Sequence, residues 1–310
     1  GDLASGDSFG VAVVDNASGD GSLETLRAAV VREGWGGRCE VIDAGRNGGF
    51  AFGNNVGIER VLSWDEPPDA VHLLNPDTYV RPGAVRALAA FLEANPTAGI
   101  VGSGLENEDG TPRRGAFRFP SALSEIEGQM QLGPVSMLLR PWIVAPPAPE
   151  GAWRVGWTTG ASMMVRREVL ESVGVFDDGY FLYFEETDLC LRVSRAGWEI
   201  WQEPASRVVH LVGQSTGVNR KGEKPRPKPA YWYDSRRRYF EKASGGFGAD
   251  VADACRCVAV LLSRVAGAVV GRGGDESISV DGVLSARRRA RAGGARGERV
   301  ERGGATEVAS

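Results

Sequence analysis

Short apolar runs alternate with helical patterns through the first hundred residues, and this alternation limits the possible folds more than any other feature. The apolar runs cover residues 9–15, 38–43, 70–75 and 98–102. Helical spacing of apolar residues covers 22–33, 53–63 and 82–94. Strands that alternate with helices form mostly parallel sheets with helices on both faces. The sequence therefore predicts an α/β fold of three layers around a mostly parallel mixed sheet.

Two of the predicted strands end in polar residues. The first apolar run stops at Asp15 and Asn16, and the third is followed by Asn75 and Asp77. Open α/β sheets bind ligands beyond the carboxyl ends of their strands. We therefore expect these side chains at a ligand-binding edge.

Three carboxylates stand in an apolar and aromatic stretch over residues 181–192. They are Glu185, Glu186 and Asp188. Burying carboxylates that repel one another costs free energy. The pattern fits an acidic first turn favoured by the helix dipole. It equally fits a cleft in which one carboxylate accepts a proton, and this segment alone does not decide between the two.

Composition and charge exclude several classes of protein. Proteins that bind nucleic acid usually show a basic face, and a formal net charge of −4 over 310 residues gives no reason to expect a nucleic-acid partner. Four cysteines, at positions 39, 190, 255 and 257, lack the spacing of a metal site and are predicted to be reduced thiols. No apolar run is long enough to span a bilayer, and a cytoplasmic location is expected.

The second half of the chain is less regular. Residues 103–158 are proline-rich and predict a long excursion, and residues 213–229 predict a mobile loop. Residues 249–271 form a helical pattern that favours packing on the protein over an interfacial anchor. Residues 272–310 predict a disordered tail, whose arginine cluster leaves peripheral membrane contact open. The predicted division is a main domain over 1–242, a helical segment over 243–271 and the tail.

Several motifs stand in the order typical of one family. They are Val-Val-Asp-Asn-Ala-Ser (13–18), Asn-Gly-Gly-Phe-Ala-Phe-Gly-Asn-Asn-Val-Gly-Ile (47–58), Leu-Leu-Asn-Pro-Asp-Thr (73–78), Thr-Gly-Ala-Ser-Met-Met-Val-Arg-Arg (159–167), Gly-Val-Phe-Asp (174–177), Phe-Glu-Glu-Thr-Asp-Leu-Cys-Leu-Arg (184–192) and His210. Over about residues 9–242 the chain resembles the inverting glycosyltransferase family 2, and within it the rhamnosyltransferase-like enzymes of cell-wall and O-antigen assembly.

The resemblance implies a GT-A fold, a Rossmann-like architecture that binds nucleotide-diphosphate sugars. It implies transfer from a dTDP- or UDP-sugar, most plausibly L-rhamnose from dTDP-rhamnose, to a polysaccharide or lipid-linked glycan acceptor. Family members normally open with a further apolar strand inside the sheet. This sequence starts just before what is usually the second strand, so we expect a sheet without it.

The resemblance also implies a metal site. Asp77, in Asn75-Pro76-Asp77, corresponds to the family's metal-binding carboxylate, and His210 completes the site. Mn²⁺ or Mg²⁺ tolerates one protein carboxylate when phosphate oxygens and water supply the other ligands. A histidine ligand favours Mn²⁺ over an all-oxygen site.

Glycosyl transfer further needs a base for the acceptor hydroxyl. The resemblance assigns this role to Glu186, with Glu185 as the alternative base and Asp188 orienting the acceptor or an arginine. It assigns the nucleotide sugar and the acceptor to two further groups of residues. These are Asp15, Asn16, Arg46, Asn47, Asn54 and Asn75 for the nucleotide sugar, and Trp157, Thr159 and Gly160 for the acceptor.

Two other functions are compatible with some of these features. The single carboxylate of the Asn75-Pro76-Asp77 motif and the expected loss of a strand favour a catalytically inactive GT-A domain that serves as a binding or assembly module. A metal-dependent hydrolase would need more metal ligands than Asp77 and His210 supply. A nicotinamide-binding enzyme is disfavoured because no Gly-x-Gly-x-x-Gly follows the first strand.

Overall fold

The computed structural model describes residues 8–130, 133–211, 227–270 and 277–304. The chain divides into two compact units, each built from two stretches of sequence. Unit 1 comprises Gly1–Phe119 and Ala145–Gly217, and unit 2 comprises Pro120–Val144 and Val218–Ser310. Both units are therefore discontinuous in sequence.

Unit 1 holds the α/β elements. Its strands are β1 (Val11–Asp15), β2 (Cys39–Asp43), β3 (Ala70–Leu74), β4 (Thr78–Val80), β5 (Ala98–Glu106), β6 (Pro112–Arg113), β7 (Ala116–Phe117), β8 (Trp153–Arg154), β9 (Trp157–Thr158), β10 (Ser162–Arg166) and β11 (Glu199–His210). Its helices are α1 (Ser22–Arg32), α2 (Gly49–Leu62), α3 (Ala84–Ala94), α6 (Arg167–Val173) and α7 (Glu185–Arg195).

The main sheet has seven strands and is mixed, as predicted, but it is not mostly parallel. Of its six described strand pairs only β5 with β11 is parallel, because β10 inserts antiparallel between β3 and β5 and short antiparallel strands pair with β5 and β11. Its central path is β3-β10-β5-β11-β4, with β6 paired to β5 and β8 to β11. Strands β5 and β11 run parallel, while β10 runs antiparallel to both β3 and β5. Strands β1 and β2 form a separate parallel pair, and no hydrogen-bonded ladder between described residues joins this pair to the larger sheet.

Apolar side chains cover both faces of the main sheet. Neighbouring residues of β5 point to opposite sides, so Ile100 belongs to one buried cluster and Val101 to the other. The first cluster includes residues of α2, α6 and α7, and the second includes Leu88 and Leu92 of α3. The three-layer arrangement predicted from the alternation is confirmed. The long strand β11 has a register shift between Glu203 and Arg207.

Unit 2 is helical. It contains α4 (Ala122–Met130), α5 (Gly133–Leu138), a 3-10 turn (Arg140–Trp142), α8 (Ala230–Val270) and α9 (Val280–Gly304). Helix α8 is interrupted at Gly245, whose φ of 72° is not helical. This interruption lies just before the helix predicted over 249–271.

Two sequence-based boundaries differ from the structure. Residues 120–144 and the first part of α8 belong to unit 2, whereas the sequence placed them in the domain over 1–242. The tail over 272–310, predicted to be disordered, contains helix α9. Val283 and Ala286 of this helix are buried, and Arg287 and Arg291 pair with Asp250 of α8. A composition poor in apolar residues does not reveal such specific contacts. The predicted mobile loop over 213–229 lies, apart from its last three residues, outside the described residues.

Candidate active site

The turn that precedes α7 has an unusual backbone. Tyr183 and Phe184 have φ values of 71° and 70°, a region that non-glycine residues rarely adopt. The backbone oxygen of Phe181 accepts a hydrogen bond from the amide of Phe50 at 2.9 Å. Gly49, with a φ of 87°, lies so close that an added Cβ would stand 2.1 Å from that oxygen. The start of α2 therefore holds this turn in place, and such strained backbone is typical of functional sites.

Glu186 contacts the segment predicted to bind the acceptor. Its Oε1 accepts a hydrogen bond from the amide of Gly160 at 3.1 Å. A Cβ on Gly160 would stand 2.6 Å from the ring of Phe50 and 3.2 Å from Cγ of Glu186. Burial raises the pKa of the Glu186 carboxyl. A carboxylate with a raised pKa is a better proton acceptor, so this environment suits a base.

Glu185 lies deeper than Glu186. Its side chain is almost fully buried, and its Oε2 has no hydrogen-bond partner in the described part of the chain. Burial, followed by the charge of Glu186, raises the pKa of Glu185 well above its ordinary value. Two adjacent carboxyl groups thus share a site in which full ionisation of both is unfavourable.

Asp188 is engaged by an arginine. It is fully buried, accepts a hydrogen bond from Nε of Arg192 at 2.9 Å and another from the hydroxyl of Tyr180 at 3.3 Å. Arg192 also donates to the backbone oxygens of Val173 and Val175. Of the two roles predicted for Asp188, the contacts match orientation of an arginine. Through that arginine, α7 is tied to the loop after α6.

The two predicted metal ligands lie together. Oδ1 of Asp77 is 3.3 Å from Nε2 of His210, and both side chains are mostly buried, with 11% and 16% of their surface exposed. The amide of Leu211 donates to the backbone oxygen of Asp77, which fixes the end of β11 beside the end of β3. Burial lowers the pKa of His210; the charge of Asp77 opposes this shift and that of Arg113 adds to it. A neutral imidazole is the form that binds metals.

The side-chain donors of Asp77 and His210 indicate which kind of cation fits between them. One carboxylate oxygen and one imidazole nitrogen are close enough to bind the same ion. The described residues contain no group of three or more histidines, cysteines or acidic residues that could hold a metal by themselves. The pair therefore fits a cation whose other ligands come from phosphate oxygens and water.

Backbone contacts bring the metal pair and the acidic helix into one region. The amide of Asn75, two residues before Asp77, donates to the backbone oxygen of Ala161 at 3.0 Å. Ala161 follows Gly160, whose amide binds Glu186. Thr159, on the other side of Gly160, donates through its amide to the backbone oxygen of Gly115.

A cleft of about 370 Å³ opens at the carboxyl ends of β1 and β2. Asp15 lines it and accepts a hydrogen bond from the amide of Ser18 at 3.1 Å. Asp43 also lines it, stands opposite Asp15 in the strand register and was not predicted as a site residue. The sequence did contain a signal, because the second apolar run, like the first, ends in an aspartate.

The remaining residues predicted to bind the nucleotide sugar surround the start of α2. Asn16 donates to the backbone oxygen of Gly49 at 2.9 Å, and Asn47 accepts from the amide of Gly49 at 3.1 Å. The guanidinium of Arg46 stacks over the ring of Phe52 at 4.2 Å. These contacts link the ends of β1 and β2 to the glycine-rich turn.

Two adjacent asparagines of α2 have different roles. Asn54 donates to the backbone oxygen of Phe50, within its own helix. Asn55 was not predicted, yet it binds both the amide and the backbone oxygen of Phe176, at 3.0 and 2.9 Å. The helical spacing Ala51, Asn55, Ile58 indicated that Asn55 faces inward, and this spacing was the available signal.

Trp157 lies on a further two-stranded sheet, formed by β7 and β9, and Thr159 directly follows β9. Trp157 stacks on Phe117 with ring centroids 4.3 Å apart and donates through its indole nitrogen to the backbone oxygen of Arg118. Strands β7 and β9, which carry these rings, pair antiparallel. Of the residues predicted to bind the acceptor, Trp157 therefore lies beside Phe117, and Thr159 contacts Gly115 and adjoins Gly160.

Comparisons with known proteins identify the family of the chain. Residues 3–174 match the family model described as glycosyl transferase family 2. An N-acetylglucosaminyl-diphospho-decaprenol L-rhamnosyltransferase of Mycobacterium tuberculosis is 34% identical over 218 residues, 67% of this chain and 68% of the relative. Rhamnosyltransferase WbbL of Escherichia coli is 27% identical over 53% of this chain and 61% of its own length.

Solved structures support the same fold at low sequence identity. GalNAc-T7, crystallised with UDP, GalNAc and Mn²⁺, has a TM-score of 0.53 at 14% identity, over 84% of this chain and 52% of that one. Mannosyltransferase PcManGT of Pyrobaculum calidifontis, in complex with GDP-Man and Mn²⁺, has a TM-score of 0.51 at 16% identity, over 91% and 70%. At these identities the likeness concerns the fold alone.

Proposed function

Because the chain belongs to glycosyltransferase family 2, we propose that it inverts the anomeric centre of L-rhamnose while transferring it from dTDP-rhamnose. The chain is a glycosyltransferase, and its named relatives support a role in cell-wall glycan synthesis. The contact between Glu186 and Gly160 carries the proposal, because it joins the base to the acceptor segment.

Glu186 acts as the base. Its carboxylate removes the proton from the acceptor hydroxyl as that oxygen attacks the anomeric carbon. Inversion requires the attack and the departing diphosphate to lie on opposite faces of the sugar. The amide of Gly160 orients Oε1, and burial raises the proton affinity of the carboxyl. Glu185 keeps the alternative assignment, although its deeper burial makes it the weaker candidate.

Asp77 and His210 hold Mn²⁺ or Mg²⁺ in this proposal. Their separation of 3.3 Å supports joint binding of one ion. When bound, such a cation supplies positive charge to the leaving diphosphate. Two protein ligands make a weak site, so the ion binds together with the nucleotide diphosphate.

The cleft beside Asp15 holds the nucleotide base. A carboxylate accepts a hydrogen bond from N3–H of either thymine or uracil, so Asp15 does not select between dTDP and UDP. The choice of dTDP-rhamnose follows the names of relatives, including a dTDP-rhamnosyl transferase of Shigella flexneri that is 23% identical over 59% of this chain. Asn16, Arg46, Asn47, Asn54 and Asn75 are proposed to line the path of the nucleotide sugar.

A lipid-linked glycan is the proposed acceptor, bound near Trp157, Thr159 and Gly160. The Mycobacterium tuberculosis relative is named for an acceptor carried on diphospho-decaprenol, a membrane lipid. We propose that this protein likewise works in the cytoplasm at the membrane surface. A surface of unit 2 supports such peripheral contact with the membrane.

Helix α8, after Gly245, places apolar residues outward. The exposed residues form a stripe at alternating spacings of four and three, which we call the apolar stripe: Phe247, Val251, Ala254, Val258, Leu261 and Val265. The opposite face of the same helix buries Asp253 and Arg256.

A helix that exposes apolar residues and buries charged ones favours contact with a lipid surface. Asp253 pairs with Arg236, and Asp250 pairs with Arg237 and Arg287, so arginines neutralise both aspartates of this part of the helix. An apolar stripe without free negative charge suits an anionic bilayer surface. No described helix combines the length and apolar character needed to cross a membrane.

Turnover with purified substrates tests the function. We expect transfer from dTDP-rhamnose to a synthetic polyprenyl-diphosphate acceptor in the presence of Mn²⁺, and weaker transfer from UDP-sugars. The Glu186→Gln variant should keep donor binding and lose about 10²-fold or more in rate, because it loses only its basic oxygen. Glu185→Gln and Asp188→Asn are the matched comparisons.

Three outcomes would change the assignment. Near-normal turnover of Glu186→Gln with an inactive Glu185→Gln would move the base to Glu185. An inactive Asp188→Asn with active Glu186→Gln would move it to Asp188. A wild-type protein that transfers no dTDP- or UDP-sugar would favour the inactive binding module, which the single carboxylate of the Asn75-Pro76-Asp77 motif also favours.

A further inference from the structure

The register of β6 fixes the position of Arg113. Arg113 stands opposite Leu105 of β5, and Leu105 stands opposite Val208 of β11. Residues that stand opposite each other in a sheet share a face, and so do residues two positions apart in one strand. Arg113 therefore projects from the same face as His210, in agreement with its electrostatic effect on that side chain.

The guanidinium of Arg113 is held in place but its charge is not neutralised. It donates to Oδ1 of Asn107 at 3.2 Å. In the part of the chain that the structure describes, no carboxylate forms an ion pair with it. The nearby Glu106 lies on the other face of the sheet, where it binds Arg81 and Arg207. Arg113 thus offers a positive charge beside the candidate metal pair.

The segment that follows Arg113 leads to the candidate base. Two residues later, the backbone oxygen of Gly115 accepts hydrogen bonds from the amide of Thr159 and the hydroxyl of Thr158. Thr159 adjoins Gly160, which binds Glu186. Residues 113–115 therefore connect the region of Asp77 and His210 to the region of bond formation.

We propose that Arg113 binds a diphosphate group at this site. The inference rests on the proposed function, in which both the donor and the lipid-linked acceptor carry a diphosphate. A planar guanidinium can donate two parallel hydrogen bonds to phosphate oxygens, and such charge-assisted bonds are stronger than neutral ones. Asn107 occupies one donor of Arg113 and leaves the rest of the fork for the ligand.

Binding of inorganic pyrophosphate tests the proposal without turnover. Calorimetry in the presence of Mn²⁺ would compare wild type, Arg113→Gln, Arg113→Lys and the control Arg86→Gln, an exposed arginine of α3. We expect about tenfold weaker binding for Arg113→Gln, since a hydrogen bond to a charged group is lost. Arg113→Lys should recover part of the affinity, and Arg86→Gln should bind like wild type.

Steady-state kinetics then identifies the source of the diphosphate. A raised KM for dTDP-rhamnose alone assigns Arg113 to the donor, and a raised KM for the polyprenyl-diphosphate acceptor alone assigns it to the acceptor. The proposal is overturned if wild type does not bind pyrophosphate, or if Arg113→Gln binds it as wild type does at an unchanged unfolding temperature. Pyrophosphate binding that depends on Arg113 in a protein without transferase activity would refute the proposed function and support this inference.

Discussion

At the residue scale, the site depends on carboxyl groups whose burial changes their chemistry. Glu186 has a hydrogen-bonded oxygen next to the acceptor segment, while Glu185 has a buried oxygen without a partner among the described residues. Burial is the main cause of the raised pKa of both groups. The proposed role of Glu186 as base needs its ionised form, whereas burial favours the neutral form of Glu185.

The pH dependence of stability should therefore reveal Glu185. A pKa raised in the folded state contributes stability below the unfolded pKa, and this contribution is lost as pH rises through the folded pKa. Glu185→Gln stays neutral at all pH values, so its Tm should exceed that of wild type near pH 8. The two Tm values should converge as pH falls below the ordinary range of a glutamate.

Thermal unfolding between pH 4 and pH 8 provides the measurement. Glu168→Gln, which changes an exposed glutamate at the start of α6, is the matched control and should not alter the pH dependence of wild-type stability. Equal Tm values for Glu185→Gln and wild type across the whole range would show that Glu185 is not under strain in the folded protein.

At the element scale, the contact between the start of α2 and the turn before α7 positions Glu186. A side chain on Gly49 would clash with the backbone oxygen of Phe181. Gly49→Ala should therefore shift this turn, destabilise the protein by about 1–3 kcal/mol and reduce kcat more than it raises the KM for the donor.

A variant at a second glycine, Gly34, separates the effect of the steric clash from the free-energy cost of a positive φ. Gly34 also has a positive φ, of 69°, but an added Cβ would meet nothing within 4 Å. Gly34→Ala should cost stability through φ alone and leave kcat unchanged. If Gly49→Ala and Gly34→Ala have the same kinetics, the Gly49 contact does not position the catalytic helix.

The apolar stripe of α8 predicts binding to anionic vesicles. Wild type should co-sediment with vesicles of phosphatidylglycerol and phosphatidylcholine. The double variant Val258→Asp, Leu261→Asp should bind about tenfold or more weakly, because two apolar side chains leave the bilayer and two charges oppose it. Val31→Asp changes an exposed valine of α1 in unit 1 and is the control.

Sedimentation velocity distinguishes a lipid surface from a second copy of the chain. The alternating spacing of the stripe is also typical of helix pairing. A wild-type dimer that dissociates in the Val258→Asp, Leu261→Asp variant, without vesicle binding by either protein, would show that the stripe is a protein interface.

At the scale of the whole molecule, the sequence predicted unit 1 better than unit 2. The strands and helices of unit 1 follow from the local alternation of apolar runs and helical patterns. The family resemblance assigned Asp77 and His210 to one metal site, and the two side chains lie 3.3 Å apart. The contact of Asn55 with Phe176 joins residues 121 positions apart, and the position of Arg113 depends on which strands pair and in which register. Residues far apart in sequence decide that register, so a local pattern does not contain it.

The sequence predicted unit 2 less well for the same reason, because its contacts join residues far apart in the chain. Arg236, one of its buried arginines, binds Glu125 of α4 and Asp253 of α8. The sequence predicted the second part of α8, over 249–271, but assigned 120–144 to the main domain, because the prolines of residues 103–158 indicate only an irregular excursion. The grouping of α4 with α8 depends on ion pairs between residues more than a hundred positions apart.

These ion pairs set an order of events during synthesis on the ribosome. Glu125 emerges long before its partners, since Arg236 follows it by 111 residues and Arg256 by 131. At ordinary elongation rates α4 waits roughly ten seconds for its second partner. Throughout that interval Glu125 of the nascent chain lacks both of these arginine partners. These contacts of unit 2 therefore form only after both parts of α8 have left the ribosome.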